Sequence, residues 1–196
     1  RYVNGHVLPG AERAQEVVGG IGRETLAAEL EARIGFDDEG YVDNSGVVFD
    51  QPFLDLVAPV AAESFDFETP DVVLTAATDG ITLGAAMASH FDARVAYAKK
   101  SKETAVEEFI ESRQRLASGI ELTYYLPAGA IDAGESVLVV DDLIRSGETQ
   151  ELLLDIALQA DAEVAGVFTL IAVGDEGTER AAEITGAPVG ALTQFE

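Results

Sequence analysis

Two adjacent carboxylates in the second half of the chain are candidates for ligand or metal binding. Asp141 and Asp142 follow the apolar run Val137–Val140. Two neighbouring carboxylates at a strand end can accept hydrogen bonds from vicinal ribose hydroxyls, or orient water on Mg²⁺. We therefore predict that Asp141 and Asp142 are catalytic residues that also bind a metal ion.

The residues after these acids have the composition of a phosphate-binding turn. A short polar segment comes two residues later: Arg145, Ser146, Gly147, Glu148 and Thr149. Backbone N–H groups at a helix start can hold a phosphate together with the Ser146 and Thr149 hydroxyls, and Gly147 allows a close approach. An ordinary strand–turn–helix with a polar N-cap is the alternative for this segment alone. That alternative does not explain two acids directly after four apolar residues.

The positive charges are few and concentrated. The chain has 12 Lys and Arg residues against 36 Asp and Glu, a net charge of −24. All of its lysines lie in one short stretch: Lys99, Lys100 and Lys102. A chain that elsewhere avoids lysine has kept a cationic cluster, which favours an anion site over the alternative of a solvated charge patch.

Composition excludes several classes of protein. The chain has no cysteine, so disulfides, zinc fingers and thiol nucleophiles are ruled out, and its two histidines disfavour a Ser-His-Asp hydrolase. No apolar run reaches the roughly 18 residues of a membrane span, so we expect a cytoplasmic protein without a membrane partner. The acidic excess indicates a salt-rich, halophilic cytoplasm, where ions screen self-repulsion, and it disfavours nonspecific attraction to nucleic acid.

Apolar runs alternate with amphipathic stretches from about Val47 onward. This pattern predicts an α/β fold, a parallel sheet flanked by helices, over residues 46–196. The expected strands are 72–75, 94–98, 137–140, 164–173 and 189–192, with a hairpin around 120–126. The expected helices are 23–33, 52–64 (in one piece or two), 80–90, 149–159 and 178–184. Ligands of such sheets bind at the carboxyl ends of the strands. The loops 76–80, 99–102 and 141–149 begin at these ends, so we expect the site to lie among them.

The run VLVVDDLIRSGET resembles the phosphoribosyl pyrophosphate motif of the type I phosphoribosyltransferases. Residues 72–102 are similar to the strand, pyrophosphate loop, helix and basic strand end of the purine-salvage members, especially the xanthine and adenine enzymes. Residues 52–59 and 185–192 are similar to the xanthine enzymes. The resemblance implies the type I fold, a homodimer, and transfer of ribose 5-phosphate from phosphoribosyl pyrophosphate to a purine base with Mg²⁺.

The resemblance also implies roles for further residues. The backbone of Ala77, Thr78, Asp79 and Gly80 would face the pyrophosphate, and Lys99, Lys100 and Lys102 would offer charge to its oxygens. Residues 103–125 would form a mobile loop that closes over the reacting centre and carries the catalytic Glu111 and Arg113. Excluding water matters there because an oxocarbenium-like sugar would otherwise be hydrolysed.

Three positions depart from the family pattern. Glu148 places a carboxylate beside the phosphate, which is repulsive unless Glu148 points away or pairs with Arg145. The residues after Val173 include no lysine, and Ala77 stands where xanthine enzymes often have an acid. These departures leave the identity of the base, and turnover itself, open.

Residues 1–45 support two interpretations. They are long enough for a small DNA-binding module, and RETLAAELEARIG superficially resembles part of a helix-turn-helix. Some transcription regulators carry this fold as a sensor of phosphoribosyl pyrophosphate or a nucleotide, so DNA is a partner under this alternative. The segment has four arginines against nine acids, however, and a DNA-reading face needs clustered Lys and Arg. We therefore favour a hood or dimer arm.

Overall fold

The computed structural model describes residues 22–116 and 119–196. Its helices are α1 (22–31), α2 (Ser45–Val48), α3 (Gln51–Ser64), α4 (Gly80–Phe91), α5 (Glu148–Gln159) and α6 (Glu176–Thr185). Its strands are β1 (Gly35–Phe36), β2 (Val42–Asp43), β3 (Val72–Ala76), β4 (Arg94–Ala98), β5 (Phe109–Arg115), β6 (Glu121–Pro127), β7 (Ser136–Ile144), β8 (Glu163–Val173) and β9 (Val189–Phe195).

The central sheet has five parallel strands in the order β4-β3-β7-β8-β9. After β3 the chain moves outward to β4, and β7 then pairs with the opposite edge of β3. The strand order therefore reverses between β3 and β7, which opens a crevice beyond the carboxyl ends of these two strands. The predicted parallel sheet flanked by helices is confirmed.

Both faces of the sheet are covered, as the apolar strands require. On one face α1, α3 and α4 pack against side chains such as Val73, Leu138 and Phe168. On the other face α5, α6 and the β5–β6 hairpin cover the alternate positions, such as Leu74 and Val139. This alternation fixes which side chains point into each layer, and it leaves the strand ends free for a site.

Strand β7 is longer than its apolar sequence indicates. We expected it to end at Val140, whereas pairing with β8 continues through Asp141↔Thr169 to Ile144↔Ala172. The long apolar β8 offers a continuous ladder partner, so Asp141 and Asp142 lie within the strand rather than after it.

Two other expectations are refined. Helix α3 is continuous although Pro59 lies inside it, and Pro52 lies in its first turn, where a proline is tolerated. The expected hairpin around 120–126 is instead the second strand of a larger hairpin, in which β5 pairs with β6 from Phe109↔Pro127 to Arg115↔Glu121.

The described part of the N-terminal segment packs on the sheet domain. In α1, Leu26 and Leu30 are buried in the core, and the Arg23 guanidinium donates a hydrogen bond to the Ala191 carbonyl at 3.1 Å. Strands β1 and β2 then form a small antiparallel hairpin. Residues 1–21 lie outside the described residues. Within the described part of the chain, no helix is long and apolar enough to cross a membrane.

Candidate active site

A cavity of about 400 Å³ lies in the crevice where the strand order reverses. It brings together residues from the three loops predicted to carry the site. Its lining consists of Ala76, Ala77, Thr78, Asp79, Lys100, Tyr124, Asp141, Asp142, Leu143 and Thr149. A smaller cavity of about 130 Å³ adjoins it, shares Leu143 and Thr149, and is otherwise lined by Arg145, Ser146, Gly147, Glu148 and Gln150.

The two predicted carboxylates lie at the base of the larger cavity. Asp141 is only 7% exposed and Asp142 is partly buried. Burial, and after it the charge of Asp142, raises the pKa of the Asp141 carboxyl well above its ordinary value. Burial also raises the pKa of Asp142, although hydrogen bonds with Asp141 and Asn44 oppose that effect. The two acidic side chains thus lie together where burial penalises their charge, and a bound cation would stabilise their ionised form.

Two amide side chains that we did not predict contact these carboxylates. Gln150, in the first turn of α5 and buried, donates from Nε2 to Asp141 Oδ2 at 2.7 Å. Asn44, just before α2, donates from Nδ2 to Asp142 Oδ2. The sequence could have indicated Gln150, because it is a polar residue on the same helix face as Leu153, Leu154 and Ala157. Nothing comparable indicated Asn44, because it is remote in sequence.

The loop after β3 passes close to Asp141. A Cβ at Gly80 would lie 2.2 Å from Thr75 Oγ1 and 2.9 Å from Asp141 Oδ1, so only glycine fits. The backbone from Ala77 to Gly80 therefore borders the carboxylates, and its role toward pyrophosphate stays a prediction. The Ala77–Thr78 peptide bond is cis.

The predicted phosphate turn connects β7 to α5. Gly147 has φ +78°, and its Cβ position would lie 3.0 Å from the Gly177 backbone, so glycine is required for both conformation and space. The Ser146 hydroxyl donates to Glu148 Oε2 at 2.9 Å. Glu148 thus accepts a hydrogen bond from the Ser146 hydroxyl, one of the two hydroxyls predicted to bind a phosphate.

Arg145 contacts the N-terminal segment. Its guanidinium donates to the Gly40 carbonyl at 2.6 Å and lies 5.5 Å from the Tyr41 ring centroid. Together with Asn44, this contact holds residues 35–44 beside the crevice. The alternative in which Arg145 neutralises Glu148 is not the arrangement observed.

The three lysines differ in their surroundings. Lys100 lines the larger cavity, with its ammonium 5.8 Å from the Tyr124 ring centroid. Lys99 and Lys102 form ion pairs with Glu103 and Glu111 respectively. The structure therefore brings Lys100 to the carboxylates, and engages the other two with acids of the following segment.

Glu111 and Arg113 are not among the residues lining the crevice. They lie on β5, where Arg113 also pairs with Glu121 at 3.4 Å and lines a separate cavity against α5 and α6. Their assignment as catalytic residues stays a prediction.

Tyr124 was not predicted for the site and reaches it from β6. It is 3% exposed and lines the larger cavity together with Thr149. Burial, and then the charge of Asp141, raises the pKa of the Tyr124 hydroxyl. Tyr124 therefore stays protonated and adds a hydroxyl between the carboxylates and the phosphate turn.

The residues of the crevice fit a magnesium ion. Among the described residues there is no cluster of three or more groups that could enclose a metal. Mg²⁺ commonly binds through one or two carboxylates and completes its octahedron with water and substrate phosphates. Asp141 and Asp142 would supply those carboxylates, and the adjoining turn would leave a place for a phosphate.

Comparison with known proteins agrees with this architecture. The phosphoribosyl transferase domain model matches residues 47–187. That match covers more than half of the chain, so the protein belongs to the phosphoribosyltransferase family.

Individual relatives lie in the purine branch. The chain is 28% identical over 130 residues to xanthine phosphoribosyltransferase of Alkaliphilus metalliredigens, covering 65% of this chain and 64% of that protein. It is 27% identical over 133 residues to the purine biosynthesis transcriptional repressor of Bacillus subtilis, covering 67% of this chain and 47% of the repressor. The structure of adenine phosphoribosyltransferase from Thermoanaerobacter pseudethanolicus superposes with a TM-score of 0.76 at 16% identity, over 86% of this chain and 99% of that one.

Proposed function

We propose that the protein is a purine phosphoribosyltransferase. It would transfer ribose 5-phosphate from phosphoribosyl pyrophosphate to a purine nitrogen, breaking the bond from C1 to the pyrophosphate oxygen and releasing pyrophosphate. The observation that carries this proposal is the shared crevice, in which the Asp141–Asp142 pair lies between Lys100 and the phosphate turn. The purine-branch relatives support the same reaction class.

Each part of the sugar phosphate has a matching surface. The two carboxylates would accept the ribose hydroxyls, and the turn from Ser146 to Thr149 would hold the 5-phosphate at the start of α5. The backbone from Ala77 to Gly80 and Lys100 would face the pyrophosphate. When bound, Mg²⁺ would supply charge stabilisation for the leaving pyrophosphate. The chain's own contribution is mainly to orient the sugar and to stabilise developing charge.

The N-terminal segment would act as a hood over the base. Two contacts support this role: Arg145 binds the Gly40 carbonyl, and Asn44 binds Asp142. The ring of Phe36 also meets Phe195 edge-on, with centroids 5.2 Å apart, beside the sheet's carboxyl edge. The homodimer and the closing loop with Glu111 and Arg113 belong to the same proposal.

The direct test is nucleotide formation. Purified protein is mixed with Mg²⁺, phosphoribosyl pyrophosphate and adenine, hypoxanthine, guanine or xanthine in turn, at low and at high salt, and products are separated by chromatography. We expect one or two bases to yield a nucleotide with stoichiometric pyrophosphate. If no base yields a nucleotide under any condition, the proposal is wrong.

A regulator is the second candidate, because the matched Bacillus subtilis protein is a repressor. It would bind DNA and sense phosphoribosyl pyrophosphate or a nucleotide. The placement of α1 weighs against it, because Leu26 and Leu30 are buried in the core and Arg23 is engaged with Ala191. A DNA mobility shift that responds to phosphoribosyl pyrophosphate, with no nucleotide formed, would establish the regulator instead.

A further inference from the structure

We propose that Gln150 and Asn44 are positioning residues for the two ribose-binding carboxylates, with Gln150 acting through Asp141 and Asn44 through Asp142. This inference rests on the proposed function of the crevice. The two amides approach from different elements, Gln150 from the first turn of α5 and Asn44 from the hood segment. Each contacts one member of the pair.

Two carboxyl groups on adjacent residues need orientation. When both are ionised they repel each other, and a partly buried carboxylate without a donor turns toward water or takes up a proton. Asp141 Oδ1 accepts the Asp142 backbone N–H at 3.1 Å, and Oδ2 accepts Gln150 at 2.7 Å. Both oxygens are thereby fixed, and each keeps a second lone pair for a ribose hydroxyl or for a cation.

A neutral amide suits this task better than a cation. Lysine or arginine at either position would cancel the negative charge that the carboxylates need in order to attract Mg²⁺. Gln150 is only 2% exposed and also approaches the Leu143 carbonyl at 3.4 Å, so its own orientation is fixed. Burying a polar side chain among the apolar residues of α5 costs free energy unless the side chain is hydrogen-bonded. The amide donor of Gln150 makes its hydrogen bond to Asp141, at the site.

The experiment is a double-mutant cycle read by calorimetric titration of phosphoribosyl pyrophosphate with Mg²⁺. Gln150→Met keeps the length of the side chain and removes the donor. We therefore expect affinity to fall about tenfold, which is the lower end of the range for a hydrogen bond to a charged group. Asn44→Leu should reduce affinity about threefold to tenfold, because Asp142 is less buried. Gln51→Met is the matched control, since Gln51 donates to Asp55 at 2.8 Å on an exposed helix face, and it should leave affinity unchanged.

The cycle separates positioning from packing. In an Asp141→Ala background, Gln150→Met should change affinity by less than about twofold, because the acceptor of its hydrogen bond is gone. An equal loss in both backgrounds would mean that Gln150 only supports the fold of α5, and would overturn the proposal for it. The same comparison in an Asp142→Ala background tests Asn44.

A second measurement does not depend on the proposed reaction. Crystal structures of the wild type and of Gln150→Met and Asn44→Leu report the rotamers of Asp141 and Asp142 directly. We expect each carboxylate to rotate when its amide is lost. Unchanged carboxylates would overturn the inference, even if nucleotide formation is confirmed. Conversely, a protein that forms no nucleotide but shows rotated carboxylates would refute the proposed function alone.

Discussion

Asp141 and Asp142 lie on a central strand, whereas Lys99, Lys100 and Lys102 follow the edge strand β4. The carboxylates are held by neutral amides in partly or fully buried surroundings. Lys99 and Lys102 are solvent-accessible and pair with Glu103 and Glu111, whose side chains are also accessible. Among the described residues, the two carboxylates, which form the proposed sugar side of the crevice, have no ion-pair partner. On the lysine side, two of the three lysines are already neutralised by the protein itself.

This difference has an energetic consequence. Exposed ion pairs contribute only about 0–1 kcal/mol each, so pyrophosphate can replace Glu103 or Glu111 at small cost. Among the described residues, the buried carboxylates have no comparable partner of opposite charge, and burial raises the pKa of both. Changes on the sugar side should thus have larger effects than changes on the lysine side.

The largest effect is expected for Asp141→Asn. It removes a carboxylate from the proposed ribose and metal site, and we expect nucleotide formation to fall by about three orders of magnitude, corresponding to roughly 4 kcal/mol. The rate is measured at saturating base and Mg²⁺. A loss below tenfold would contradict the assignment of Asp141 to the site.

The same substitution should stabilise the fold at neutral pH. Because the pKa of Asp141 is raised in the folded state, its contribution to stability is fully present below the unfolded pKa and is lost as pH rises through the folded pKa. Without Mg²⁺ at pH 7, Asp141→Asn should therefore raise Tm by a few degrees, roughly 1 kcal/mol. Thermal denaturation from pH 3.5 to 8 checks this, and the gain should vanish at the acid end.

Gly80→Ala should damage the sugar side through the backbone. The new Cβ would collide with Thr75 Oγ1 and press on Asp141 Oδ1, and overpacking of this kind costs about 1–3 kcal/mol. We expect a lower free energy of unfolding, measured in urea, together with weaker phosphoribosyl pyrophosphate binding. Gly35→Ala is the control, because a Cβ at Gly35 would meet nothing within 4 Å.

Lys100→Ala should have a moderate effect. Lys100 lines the cavity with the carboxylates, so its loss should weaken binding of Mg²⁺-pyrophosphate about tenfold. Lys99→Ala is the comparison, since Lys99 is already paired with Glu103, and a loss of about twofold to threefold is expected. Equal losses would show that both lysines serve the anion equally.

Glu103→Gln should have the smallest effect and the opposite sign. It releases Lys99 from its internal partner, so pyrophosphate should bind about twofold tighter at low salt. The gain should disappear as ionic strength rises, because exposed charges are screened. Titration at two salt concentrations measures it, and weaker binding would show that Glu103 assists the anion site.

Much of the fold was predictable because its strands are apolar runs with turn residues between them. The carboxylate pair and the turn around Gly147 were recognisable because the residues lie together in sequence. Position 141 also shows the limit of prediction from local sequence. Strand β7 continues past Asp141 because β8 is a long pairing partner, and no local pattern in β7 reveals that partner.

The contacts that were not predicted are mostly remote in sequence. Asn44 and Asp142 are 98 residues apart, and Arg145 and Gly40 are 105 apart, so only the tertiary fold brings them together. Tyr124 likewise reaches Thr149 from a hairpin whose position depends on packing against α5. Local sequence thus predicted the carboxylate pair and the turn, and the fold brings side chains remote in sequence into contact with them.

The strand order also affects how the chain is made. Strand β3 pairs with β4 along one edge, but its other edge receives β7, which is synthesised only after the long β5–β6 hairpin. A nascent chain that has completed β4 therefore carries an open apolar strand edge, a template for association with other chains. Residues 1–98 carry five Arg against 17 Asp and Glu, a net charge of −12, which opposes such association between copies before any crevice exists.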